Sequence, residues 1–283
     1  MTSVRCVAVT GAGGKTGRAV IAAAAGRGLQ VRALVHRDDQ VEAVRGAGAG
    51  DVHVGDQREV AVVTALLRGS DAVYAIAPNL HPDEVVMGQA LVAGARRAGV
   101  GRIVYHSVIN PQLTRMPHHA DKARVEELLL ESGLPTTILR PNAYHDNVLG
   151  HVESIRATGR WDVPYDPFAR SASIALADVA QAAATVLAEP GHEHAAHDLS
   201  GPQLLAPADM ARALTRVLGR VVLARRGDPE AVVATVAPES RDRLRAMFAC
   251  YDEMGSPGNP IGATTLLGRP PTSFLDWAGQ AIT

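Results

Sequence analysis

Short β-branched runs alternate with segments of helical period along the first half of the chain. Residues 4–10, 31–35, 51–54, 72–76, 103–107 and 136–139 read as strands, and residues 16–26, 39–46, 58–67, 83–98 and 120–132 between them read as helices. Alternation of this kind predicts a parallel sheet covered by helices on both faces. Gly28, Gly69, Gly99 and Gly133 each stand just past a last apolar position, as C-caps do. Asp51 and Asp71 open strands from turns.

After Pro141 the period is less regular. Residues 147–157 are helix-like, and Gly159-Arg160-Trp161-Asp162-Val163-Pro164 is a loop or short strand. Residues 174–187 read as a short strand running into a helix with Asp178 as N-cap candidate. A helix over 207–218 precedes a strand over 221–224, and the Gly- and Pro-rich stretch 255–271 reads as surface loop. The fold expected is α/β, a doubly wound parallel sheet of Rossmann type with a smaller irregular C-terminal cap. Residues 1–145 would form the dinucleotide domain. Residues 146–283 would be mostly cap, with a segment near 172–200 returning to the sheet.

Composition narrows the class. With 283 residues, 47% of them hydrophobic and 20% charged, the chain can bury a full core. Its 28 Lys and Arg against 29 Asp and Glu leave no electrostatic footprint for nucleic acid or an anionic membrane. Three Phe, 2 Trp and 5 Tyr are too few for base-stacking platforms. Cys6 and Cys250, the two cysteines, make neither a disulfide framework nor a thiolate metal site. No stretch approaches the ~20 apolar residues of a membrane span, and the chain starts on a strand without a signal-peptide layout. A cytoplasmic protein with no membrane and no nucleic-acid partner is expected; a homodimer is left open.

The segment Val7-Ala8-Val9-Thr10-Gly11-Ala12-Gly13-Gly14-Lys15-Thr16-Gly17-Arg18 follows the first strand and opens the first helix, the context a dinucleotide fingerprint requires. Gly11 permits a tight turn, Gly14 lets the backbone approach a pyrophosphate, and Gly17 allows close helix–strand packing. The helix start then offers free N–H groups to a phosphate. Gly14-Lys15-Thr16 imitates a nucleoside-triphosphate loop, but that motif needs glycine five residues before Gly14, where Val9 stands in the strand. The second strand ends Leu34-Val35-His36-Arg37, with Asp38 and Asp39 beyond it. A guanidinium there suits the 2′-phosphate of NADP; the alternative is a solvated Arg37 with Asp38 taking the ribose of NAD.

These pieces together resemble the NmrA-like group of atypical short-chain dehydrogenases, which includes NADPH-dependent quinone reductases and redox-sensing regulators. The resemblance runs through the glycine loop, Val31-Arg32-Ala33-Leu34-Val35-His36-Arg37, Gly55-Asp56, Asp71-Ala72-Val73-Tyr74 and His118-His119-Ala120-Asp121-Lys122. It continues through Leu139-Arg140-Pro141-Asn142, Leu199-Ser200-Gly201-Pro202 and Leu267-Gly268-Arg269-Pro270-Pro271. It implies that Gly11, Gly13, Gly14, Lys15, Thr16 and Gly17 hold the pyrophosphate and that His36 and Arg37 meet the 2′-phosphate. Asp56 would lie beside the adenine, and Ala77 and Pro78 would flank the cofactor. Lys122 would reach the nicotinamide ribose, and Asn142 and Tyr144 would line the nicotinamide side. The family often has Arg where His36 stands, which leaves NADP selection resting more on Arg37.

Hydride reduction of a carbonyl needs a proton donor near the developing alkoxide, and ordinary short-chain dehydrogenases use Tyr-x-x-x-Lys for it. No such Tyr occurs here. His118 instead precedes Lys122 by four residues, one helical turn, just after Pro117. His118, Lys122 and Ser107 are the catalytic candidates, His118 as a donor near neutral pH; the plain alternative is that His118 merely opens the helix. Quinones need less proton help than simple ketones, which fits a missing Tyr. His192-Glu193-His194-Ala195-Ala196-His197 looks like a metal cluster but lacks helical His-Glu-x-x-His spacing and follows Pro190-Gly191, so a solvated loop and no metal are expected. His145 could contact substrate, and Trp161, Tyr165 and Phe168 either line an apolar pocket or pack the cap. The expected activity is NADPH-dependent reduction of a small, apolar or aromatic, conjugated carbonyl or quinone. The alternatives are an NADP-sensing regulator without turnover and a non-redox enzyme on the same fold.

Overall fold

Each apolar run of the first half becomes a strand in the computed structural model, which describes residues 4–282. These are β1 (Cys6–Val9), β2 (Gln30–Val35), β3 (Asp51–Val54), β4 (Ala72–Ala75), β5 (Arg102–His106) and β6 (Thr136–Pro141). Between them run α1 (Lys15–Gly26), α2 (Val41–Gly46), α3 (Val60–Leu67), α4 (Glu84–Ala98) and α5 (Pro117–Glu131). There follow α6 (Val152–Thr158), β7 (Arg160–Val163), α7 (Leu176–Ala188), β8 (Ala195–Leu199), α8 (Pro207–Leu218) and β9 (Leu223–Arg226). The chain ends with α9 (Pro229–Val233), α10 (Arg241–Met254), α11 (Ile261–Leu267) and α12 (Phe274–Ala281).

The main sheet has seven strands in the order β3-β2-β1-β4-β5-β6-β8. The ladders β3/β2, β2/β1, β1/β4, β4/β5 and β5/β6 are all parallel, with Val9 opposite both Ala33 and Tyr74. The fold is therefore α/β and doubly wound, as the alternation requires. Strand order reverses between β1 and β4, and at such a switch point the carboxyl ends of the strands open a crevice for a ligand. Successive side chains face opposite sides of a strand. Ala8, Val73, Ala75, Ile103, Tyr105 and Ile138 pack against Val63, Leu66 and Leu67 of α3, Leu91 and Ala95 of α4, and Val125 and Leu129 of α5. Val7, Val9, Tyr74 and Val104, of the opposite parity, are buried as well.

The chain divides into two compact units. The first holds residues 4–112, 118–140 and 179–197, and the second residues 113–117, 141–178 and 198–282. The second has its own core, in which Val148, Ile155, Trp161, Met210, Leu214, Phe274 and Trp277 meet, and a two-stranded parallel sheet of β7 and β9.

The second half departs from the sequence expectations at several points. Helix α7 begins at Leu176, so Asp178 lies inside its first turn and not at a cap; Ile174 forms a parallel bridge with Tyr144. Strand β9 runs two residues later than expected because its ends are pinned by Leu223 N–H to Gly159 O and Gly227 N–H to Val163 O. The stretch read as loop contains α11, bracketed by Pro260 and by Gly268 at φ +67°. Helices α9, α10 and α12 were not expected at all. Trp161 is core, Tyr165 packs on Phe248 and Tyr251, and Phe168 is 71% exposed, so the three aromatics form no common cluster. No helix of the described residues is long and apolar enough to cross a membrane.

Candidate functional site

The turn after β1 is built around two close approaches. Gly11 has φ +56°, and a Cβ there would stand 2.6 Å from Ile76 O. A Cβ on Gly17 would stand 2.5 Å from Gly11 O and 2.7 Å from Ala12 Cα. Only glycine lets α1 leave the strand this tightly. Thr10 ties the turn to the end of β4: its Oγ1 donates to Ile76 O at 3.0 Å and accepts from Ile76 N–H at 2.9 Å. Helix α1 starts at Lys15 after Gly14 with no side-chain cap and no acid in its first turn. Its first N–H groups are an anion-binding end of the kind that holds a pyrophosphate. Gly14 and Lys15 are exposed, whereas Thr16 is buried.

At the end of β2, His36 and Arg37 are exposed, and Gln40 Oε1 accepts from both of their backbone N–H groups at 3.1 and 3.3 Å. The Gln40 carboxamide sits against Gly13, where a Cβ would come within 2.6 Å of it. Arg37 pairs with Asp39 at 3.0 Å, both side chains more than half exposed. Asp56 accepts from Arg58, and that hydrogen bond holds its carboxyl below the usual carboxylate range. Arg58 also reaches Asp83. Ala77 lines a cleft with Thr10, Gln57, Ile76, Glu84 and Tyr105, while Pro78 is exposed beside it.

The candidate reacting groups lie on α5 and at the end of β5. Their surroundings are polar and buried. Helices α4 and α5 approach so closely that a Cβ on Gly88 would stand 2.8 Å from Val125 Cγ2. One turn before Gly88, Glu84 Oε1 accepts from Lys122 Nζ at 2.6 Å and from the Tyr105 hydroxyl at 2.8 Å. Lys122 Nζ also donates to His106 O at 3.1 Å and lies 5.5 Å from the centre of the Tyr105 ring. Burial, and next the Glu84 charge, raise the Tyr105 phenol well above its usual range. Burial, with the Lys122 charge adding to it, pulls His106 down to about 3; its Nδ1 shares a hydrogen bond with the Tyr74 hydroxyl. Ser107 donates to Glu126, which Arg140 grips with two N–H bonds at 3.0 and 2.5 Å. His118 is buried, its ring edge-on to His119 at 4.5 Å. His119 Nδ1 donates to Asn110 O, and burial lowers its pKa.

In the second unit Asn142 spends its carboxamide internally. Its nitrogen donates to Ser256 O at 3.0 Å and Ser200 Oγ at 3.4 Å, and its oxygen accepts from Ala143 N–H and Ser256 Oγ. Tyr144 is half-buried where the chain bridges to Ile174. His145, the candidate substrate contact, is a core imidazole: it bonds Ser173 Oγ and Thr272 O, packs on Phe274 and Trp277, and burial pulls it down to about 4. The histidine-rich segment is not all loop as expected: Ala195, Ala196 and His197 open β8, and Glu193 before them is committed to Arg102 at 2.5 Å. Among the described residues no group of three or more His, Cys, Asp or Glu could hold a metal.

Glu84 escaped the sequence reading because an acid in a helical first turn looks like ordinary capping chemistry. One signal could have pointed to its partner. Of the 28 cationic residues just two, Lys15 and Lys122, are lysine, and both fall on motif positions.

A family model described as the NmrA-like family matches residues 3–280. The NAD(P)H azoreductase of Xenophilus azovorans is 28% identical over 282 residues, covering 96% of both chains. The (4-alkanoyl-5-oxo-2,5-dihydrofuran-3-yl)methyl phosphate reductase of Streptomyces griseus is 30% identical over 280 residues, covering 97% of both. A crystal structure of an NADPH-dependent quinone oxidoreductase from Escherichia coli superposes with a TM-score of 0.83 at 24% identity, over 98% of this chain and 100% of that one. That last likeness concerns the fold.

Proposed function

The chain belongs to the NmrA-like family, and from that premise we propose that it is an NADPH-dependent reductase of small conjugated carbonyls or quinones. The glycine loop carries the proposal: Gly11 and Gly17 are places where a methyl group would strike backbone 2.5–2.6 Å away, and the exposed helix start at Gly14 and Lys15 follows directly. The residues present fit a dinucleotide, which when bound supplies a hydride to an acceptor. Curated relatives that span nearly the whole chain are reductases of an azo compound and of an acylated dihydrofuranone. Both substrate classes offer an electron-poor conjugated system.

Within the first unit the labour divides by position. The N–H groups after Gly14 and the Lys15 ammonium face the charge of a pyrophosphate. Arg37 takes a 2′-phosphate by leaving Asp39, an exposed ion pair whose loss costs about 0–1 kcal/mol. Lys122 has three N–H bonds, two of them given to Glu84 and His106, and the third donates to a ribose or substrate hydroxyl. The neutral His106 and the un-ionised Tyr105 keep the Glu84–Lys122 pair in surroundings without further charge of their own.

The test is optical: NADPH and NADH consumption across a panel of quinones and enones, with Arg37→Ala alongside the wild type. Turnover with NADPH, and a KM for NADPH that rises about tenfold in Arg37→Ala while that for NADH holds, is the expected result. Tight NADP binding with no acceptor reduced would overturn the reductase assignment.

A further inference from the structure

We propose that Glu84 is the positioning residue for Lys122, holding its ammonium so that one N–H remains for a ligand hydroxyl; this deepens the reductase proposal and rests on it. The arrangement is specific to the meeting of α4 and α5. At Gly88 the two helices pack so closely that a Cβ would stand 2.8 Å from Val125 Cγ2, and Glu84 and Lys122 lie one turn before Gly88 and Val125. Glu84 is 2% exposed and the Lys122 side chain 10%. A carboxylate this deep needs partners, and it has two, Lys122 Nζ and the Tyr105 hydroxyl. The oxygen that accepts both is Oε1, so Tyr105 fixes the carboxylate and the carboxylate fixes the ammonium. The His106 carbonyl gives the ammonium its second anchor, which leaves a tripod with two legs planted.

The use of lysine fits that role. Arginine is the cation of this chain at 26 of 28 places, and its guanidinium is a wide fork. An ammonium is compact, directs three donors from one atom, and changes its proton affinity readily when buried. Lysine is kept where a point donor is needed. The charged and titratable groups around it are Glu84 on α4, Tyr105 and His106 on β5, and His118, His119, Asp121 and Glu126 on α5. Glu126 is engaged by Ser107 and Arg140, which leaves Glu84 as the counter-charge in contact with Lys122.

Two lysines also make the proposal measurable without turnover. Protein labelled with ¹³Cε lysine gives one resonance for each, assigned by Lys15→Arg. In Glu84→Gln the Lys122 resonance should shift and broaden, its ammonium having lost the carboxylate that fixes it, with that of Lys15 unmoved. The KM for NADPH should rise about tenfold and kcat change less than threefold. Glu84→Asp, which restores charge at shorter reach, should recover the resonance position and part of the KM. An unmoved Lys122 resonance, or a moved resonance with unchanged KM, overturns the positioning role. If Glu84→Gln does not fold, Glu84→Asp carries the same two readouts, and a KM equal to wild type in it with a moved resonance overturns the role as well. If the wild type reduces no acceptor, the reductase proposal falls, while the resonance still reports on Glu84 and NADP binding by calorimetry replaces KM.

Discussion

Arg102 joins β5 to the segment that returns after α7, and its removal should be among the costliest single changes in the first unit. The residue is 6% exposed. Its Nη1 donates to the carbonyls of Val186 at 2.9 Å, Leu187 at 3.2 Å and Glu189 at 2.7 Å, and its Nη2 to Glu193 at 2.5 Å. Val186 and Leu187 are in the last turn of α7, whose carbonyls have no helical partner, and a cation there also meets the negative end of the helix dipole. Arg102→Ala therefore strands the three carbonyls and takes the counter-charge from Glu193, 14% exposed, which keeps its bond from Gly191 N–H. Breaking one partner of a buried ion pair costs about 3–5 kcal/mol, set against about 5–15 kcal/mol for a whole domain. A loss of about 4 kcal/mol is expected for Arg102→Ala. Arg102→Lys keeps the charge but loses the fork and should cost about 2 kcal/mol. Glu193→Gln, which leaves the three carbonyl bonds intact, should cost about 1 kcal/mol. Urea titration followed by far-ultraviolet circular dichroism measures all three. A loss below 1 kcal/mol in Arg102→Ala, or Lys equal to wild type, would refute the account of Arg102 as a helix-end clamp.

Other outcomes follow from the same structure. His106 and His145 are held neutral by burial, at about 3 and about 4, whereas the unfolded chain protonates both near 6.5. Unfolding therefore takes up protons below that value, so stability should fall with pH between 6.5 and 4 by up to about 2.7 kcal/mol per unit. Midpoints in urea at pH 7, 6 and 5 check this, and a flat profile contradicts it. Gly17→Ala places a methyl against Gly11 O and Ala12 Cα; calorimetry should show NADP affinity reduced more than tenfold, and thermal unfolding a loss of about 1–3 kcal/mol. Asp178, 1% exposed at its side chain, accepts from Arg269 and from Thr272 N–H, each at 2.6 Å. Arg269→Ala should cost about 3–5 kcal/mol by urea titration, because it leaves a buried carboxylate without its counter-charge, and Asp178→Ala about 1–3 kcal/mol, because the guanidinium it leaves is 45% exposed and the main loss is the partner of Thr272 N–H.

The first half of the fold was legible because a parallel sheet buried on both faces leaves unbroken apolar runs, and each run in the sequence matches a strand to within a few residues. Gly28, Gly69, Gly99 and Gly133 do take positive φ. The second half hid its helices for a physical reason. Helix α10, Arg-Asp-Arg-Leu-Arg-Ala-Met-Phe-Ala-Cys-Tyr-Asp-Glu-Met, buries just Leu244, Phe248 and Cys250, and Cys250 lies on the other side of the helix from the first two, so no apolar stripe shows; α9 and α11 are too short for a period to show. The brackets of α11, Pro260 and Gly268, were in plain view as start and stop signals. At the site, the glycine loop was readable because backbone geometry demands particular residues. Glu84 was not, because its meaning depends on Gly88 bringing a second helix across it.

The return of residues 179–197 to the first unit has a consequence for synthesis on the ribosome. Strand β6 emerges early, but its neighbour β8 lies beyond the whole 141–178 excursion. Until β8 has left the exit tunnel, one flank of the nascent sheet keeps a row of unsatisfied N–H and C=O groups, the template on which chains aggregate. Premature termination after the glycine loop and its helices would not release a smaller working module. It would release a sheet lacking its last strand, and a substrate for chaperones.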